Sequence, residues 1–116
     1  MDISVQRTST LFGLYELDQA GTVLYSRIET EGKTHDDAQD VSGCNFYEAV
    51  AHFANVEEFR QRINHFTQGG EPADNFKFDC QYQYGALHIR VLLARIRERS
   101  DNTRTKSVLV HIRKGS

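Results

Sequence analysis

Apolar and polar residues alternate through much of the second half of the chain. Phe76, Phe78, Cys80 and Tyr82 interleave with Lys77, Asp79, Gln81 and Gln83. Successive side chains of a strand point to opposite faces, so this alternation predicts a strand with one face inside. Leu87, Ile89, Val91 and Leu93, set between His88, Arg90 and Leu92, predict the next strand. Val108, Val110 and Ile112, with Leu109, His111 and Arg113 on the other face, predict the last. The polar run 100–103 is the expected hairpin tip between these two. Earlier in the chain, residues 12–17 and the β-branched, aromatic run 22–26 predict a hairpin closed by Asp18-Gln19-Ala20-Gly21.

Helical spacing replaces alternation in the middle. Phe59, Ile63 and Phe66 share one helix face. Asn55 is the expected cap of that helix, and Glu57 and Glu58 place negative charge in its first turn, where the helix dipole favours it. Gly69-Gly70 and Pro72 end it. Phe46, Ala49, Val50 and Phe53 predict a shorter helix before it, capped by Asn45. Residues 29–42 lose apolar periodicity and read as a charged, exposed connection with room for one helical turn. Residues 1–11 read as a lead-in, and 12–114 as a single domain. The expected fold class is α+β: a five-stranded antiparallel sheet with helices packed on one face.

A length of 116 residues and a net charge of −2 change this picture little; they fit one folded domain and argue against disorder. Arg90, Arg95, Arg97, Arg99, Arg104 and Lys106 interleave with apolar residues at strand spacing. They are expected on a solvated sheet face or loop, not on a nucleic-acid surface. Cys44 and Cys80 lack the spacing of a disulfide framework or zinc site. No apolar run reaches membrane-spanning length and no signal peptide opens the chain, so a cytoplasmic setting without a membrane partner is expected. His65 points away from the apolar helix face; with His35, His52, His88 and His111 it forms no ligand spacing, so no metal site is expected and the histidines do not favour haem. No nucleophile elbow or phosphate loop appears, and Asp79 alternates outward, away from any pocket needing a base. The expectation is therefore not an enzyme.

The stretch Gly43-Cys44-Asn45-Phe46, with Val50-Ala51 and Glu58-Phe59 after it, resembles the middle of PAS sensor domains, in particular the photoactive yellow protein branch. Phe12-Gly13, Leu17-Asp18, Gly21, Leu24, Phe76, Tyr82 and Gln83 extend the resemblance. It implies the PAS fold and a sensory or interaction module in signal transduction. It also implies a ligand pocket formed by Ser26, Thr30, Thr34, Phe46, Val50, Phe53, Phe78, Cys80 and Tyr82. The family's chromophore-bearing cysteine falls at Phe53, its tyrosine and glutamate at Ser26 and Thr30, and its arginine gate at Asp36; Thr34 matches the family's threonine. A thioester needs a thiolate, which Phe53 lacks, so p-coumaric acid is not expected and no cofactor is assigned.

Two readings of the pocket stay open. Phe53 and Phe78 fill it, or it takes another small aromatic ligand, flavin or haem. Cys80, on the core face, is an inert thiol or an attachment point, and Cys44 lies near a helix N-terminus. Leu11, Leu92 and Leu109 are the expected exposed contacts for a homodimer or an output partner.

Overall fold

The computed structural model describes residues 11–30, 33–34, 41–98 and 105–115. Its strands are β1 (Gly13–Leu17), β2 (Val23–Thr30), β3 (Lys33–Thr34), β4 (Ala73–Tyr82), β5 (Gly85–Arg97) and β6 (Thr105–Lys114). Its helices are α1 (Phe46–Ala49) and α2 (Val56–Gln68). The five predicted strands form an antiparallel sheet, and β3 adds a two-residue rung, in the order β3-β2-β1-β6-β5-β4. The first and last long strands pair at the centre, with Tyr15 opposite Val110. That pairing joins the two hairpin blocks into one sheet.

Alternation translates directly into burial. Ile89, Val91 and Leu93 of β5 and Val108, Val110 and Ile112 of β6 are buried beneath Phe59, Ile63 and Phe66 of α2. Burying each such side chain contributes roughly 1.5–3 kcal/mol. At the β1–β2 turn, Asp18 Oδ1 accepts hydrogen bonds from the backbone N–H groups of Ala20 and Thr22, both at 2.9 Å. Gly21 has φ +87°, and a Cβ there would stand 3.0 Å from the Tyr47 ring. The turn thus needs glycine both for its backbone and for its approach to α1.

Several expectations need correction. The charged connection contains strand: β2 runs to Thr30, and Glu29 and Thr30 pair with Thr34 and Lys33. Apolar alternation is absent there because this end of the sheet is an edge, and backbone pairing needs no buried face. The helix after Asn45 is a single turn; Val50 and Phe53 lie beyond it, where Ala54 N–H bonds to Gln81 of β4 at 2.8 Å. Asn45 caps it as expected, accepting from Tyr47 N–H at 2.9 Å.

Asn55 makes no capping bond to α2. Its side chain instead bridges the edge of β4, donating to Asp79 O at 2.9 Å and accepting from Gln81 N–H at 3.0 Å. Two strand-edge bonds outweigh one cap bond. Leu11, expected as a surface contact, is fully buried, and the Tyr15 hydroxyl donates to its carbonyl at 3.0 Å. Arg95 is not a solvated sheet-face residue either. It follows Leu93 on the inner side of β5 and reaches α2. The lead-in 1–10, the hairpin tip 100–103, His35, Asp36, Arg99 and Arg104 lie outside the described residues.

Candidate functional site

Six of the nine expected pocket residues meet on the inner side of the sheet. Phe46, Val50, Phe53 and Cys80 are buried, with Phe78 and Tyr82 packed against them. Phe53 is central to this group and only 3% exposed. Its ring meets Phe59 edge-on at 5.4 Å, Phe78 at 5.8 Å and Tyr82 at 5.9 Å between centroids. Phe46 extends the cluster, with Tyr15 at 5.2 Å and Phe59 at 6.2 Å. Edge-to-face pairs of this kind add about 0.5–1.5 kcal/mol each beyond their buried area.

The other three residues come from β2 and β3. Ser26 is half-buried on the inner face of β2, opposite Tyr15 in register. Its Oγ accepts from Val41 N–H at 3.3 Å. Thr30 and Thr34 belong to the β2–β3 rung at the sheet edge. The polar members of the expected pocket thus lie on β2 and β3, and the aromatic ones on α1, the segment after it and β4.

The chemistry of the aromatic cluster is that of a core. Burial, with a smaller contribution from Asp79, pushes the Cys80 thiol up to about 12. At neutral pH it carries a proton and is a poor nucleophile. Burial also raises Tyr15 and Tyr82 well above the ordinary phenol value, so neither supplies a phenolate. No group of three or more His, Cys, Asp or Glu side chains among the described residues is arranged to hold a metal ion. The cluster reaches solvent at one end, where Tyr82 stacks on Tyr84 at 5.1 Å and Tyr84 is 65% exposed.

Alternation did not reveal two features. Tyr15 is the buried partner of Phe46, though the spacing Gly13, Tyr15, Leu17 could have flagged it. Arg95 lies over the Phe66 ring at 4.6 Å and donates to the carbonyls of Thr67 at 2.8 Å, Glu71 at 2.9 Å and Phe66. It also donates to Thr105 Oγ1 at 2.7 Å. One guanidinium therefore ties the C-terminal end of α2 to β5 and β6.

The outer face of the sheet is different in kind. Leu92 is 43% exposed, and Leu109 and His111 are half-buried beside it. Asn75, Leu92, His111 and Leu14 form one cross-strand row, and Lys77, Arg90 and Arg113 the next. Of the expected surface contacts, Leu92 and Leu109 lie on this face and Leu11 does not.

No family model matches the chain. It is 34% identical over 80 residues to a photoactive yellow protein of Halochromatium salexigens, covering 69% of this chain and 64% of that one. It is 33% identical over 85 residues to the photoactive yellow protein of Rhodothalassium salexigens, covering 72% of this chain and 67% of that one. The alignment to the first thus spans less than two thirds of that relative. Among solved structures, the photoactive yellow protein domain of the sensor histidine kinase Ppr from Rhodospirillum centenum superposes with a TM-score of 0.57 at 19% identity. That match covers 88% of this chain and 90% of the domain.

Proposed function

The chain belongs to the photoactive yellow protein family of PAS domains, and on that premise we propose that it is a sensory and interaction module regulating an output partner without a covalent chromophore. One observation carries the reading: Phe53, at the position where the family resemblance places the chromophore cysteine, is buried among Phe59, Phe78 and Tyr82. A phenyl ring packed on three sides stabilises the fold and offers no nucleophile. In this reading a stimulus alters how α1 and α2 pack on the sheet, and the outer face around Leu92 and Leu109 passes the change on. The solved domain of similar fold from a sensor histidine kinase supports such an arrangement by analogy. The proposed setting is cytoplasmic, and the role is not enzymatic.

A second reading rests on the exposed end of the cluster. Half-buried Phe78 and Tyr82 and exposed Tyr84 make an aromatic mouth that could take a flavin, haem or small aromatic acid. Thermal melts separate the two readings. With flavin mononucleotide, haemin and hydroxycinnamic acids each added in excess, the first reading predicts midpoint shifts below about 2 °C. A saturable shift of several degrees with any of them would replace it with the second.

A further inference from the structure

The outer face carries a charge pattern that folding alone does not explain. Lys77, Arg90 and Arg113 stand directly opposite one another on β4, β5 and β6, all exposed. Like charges at such positions destabilise a sheet. Among the described residues none of the three has an acidic partner within ion-pair distance. The row lines a groove of about 560 Å³ together with Asn75, Leu92 and His111. The groove therefore offers three cations and one exposed apolar side chain.

The acids of the same face are already engaged. Asp79 bonds His88 Nδ1 at 2.6 Å, Glu29 Oε1 lies 3.6 Å from His111 Nε2, and Glu16 accepts from Ser107 Oγ at 2.6 Å. We propose that the groove docks an acidic segment of a partner protein, its carboxylates on the Lys77–Arg90–Arg113 row and an apolar side chain on Leu92. This gives the partner of the proposed module a chemistry, and it rests on that reading for its purpose.

Charge complementarity selects this occupant over others. A second copy meeting the groove about a two-fold axis would set the cationic row against itself, with its own acids already held. A nucleic acid needs a longer basic track than one row on a chain of net charge −2. A small free anion would meet only exposed cations, where ion pairs gain little without apolar contact.

The test is fluorescence anisotropy of the full chain with a labelled peptide alternating glutamate and leucine, at low ionic strength. Saturable binding is expected, weakening as salt is added. Arg90→Glu should weaken it by about tenfold or more, and Leu92→Asn by a smaller factor. Arg113→Gln serves as the second variant if Arg90→Glu fails to give a native circular dichroism spectrum.

The proposal is overturned by absent binding, by unchanged binding in both charge variants, or by a single-stranded oligonucleotide that binds more tightly than the peptide. A dimer in sedimentation that Arg90→Glu dissociates would assign the face to a second copy, against the proposal. Any of these leaves the melts with core ligands unaffected, so failure here is distinguishable from failure of the module reading.

Discussion

The two faces of one sheet have been put to different use. The inner face is closed by α1 and α2 and filled with rings: Phe53, Phe59, Phe78 and Phe46 contact one another at centroid distances from 5.0 to 6.2 Å. The outer face is open, with Leu92 exposed beside a row of three cations. The residues matching the family pattern, such as Phe46, Val50 and Phe59, are buried in the inner core. Phe53 and Ser26 lie on that side too, and in the proposed reading the scaffold is kept while its chemistry is exchanged. The contrast teaches that stability resides inside and that partner recognition is to be sought outside.

Substitutions at the two faces should therefore differ sharply. Phe53→Ala removes a ring packed on three sides, and denaturant unfolding should show a loss of about 3–5 kcal/mol. A loss below ~1 kcal/mol would mean the cluster is loosely packed and the contrast overstated. Arg95→Met should come next. It leaves the carbonyls at the end of α2 without their donor, and a loss of about 1–3 kcal/mol is expected in the same measurement. Since those acceptors are neutral carbonyls, added salt should change the effect little, unlike that of a surface ion pair.

The third prediction concerns pH. The folded protein holds the Cys80 proton to about 12 against an ordinary value of 9.0, and burial also pushes Tyr47 from 10.0 up to about 12. Folded values raised above unfolded ones give stability that is complete below the unfolded pKa and lost as pH rises towards the folded one. Stability should thus be flat up to about pH 9.0 on this account and fall between 9.0 and 12. Thermal melts across that range check it, and Cys80→Ala should remove part of the slope. The smallest effect belongs to the outer face: Arg90→Gln should change unfolding stability by no more than ~0.5 kcal/mol, or raise it slightly by relieving repulsion. A large loss there would show the row to be structural.

Strand identity and facing were legible in the sequence because a half-buried sheet imposes a period of two on side-chain polarity; Phe76 to Tyr82 follow it without interruption, and Leu87 to Leu93 break it at Leu92, an apolar residue on the outer face. What escaped was set by contacts distant in sequence. Asn55 has the composition of a helix cap but meets β4 more than twenty residues on. Arg95 looks like any strand-borne arginine until the end of α2 is folded back against it. Leu11 was expected to be exposed because it lies two residues before β1, outside the alternation that reports burial. The burial of Phe46 and Cys80 was legible from helix and strand phase, whereas Phe53 is buried beyond the end of α1, where helix phase does not apply. That Thr30 and Thr34 fall on one β2–β3 rung depends on where the sheet edge lies, which polarity does not encode.

The most direct test of the central claim is an absorption spectrum of the full chain after incubation with p-coumaric anhydride, followed by removal of unbound reagent under denaturing conditions. With Phe53 in the cluster and Cys80 protonated, and with the exposed Cys44 replaced by serine (Cys44→Ser) so that it cannot be acylated, the account predicts no long-wavelength band that depends on Cys80. A stable band at longer wavelength, retained after the denaturing wash and abolished by Cys80→Ala, would show that the inner face still carries a covalent chromophore and would contradict it.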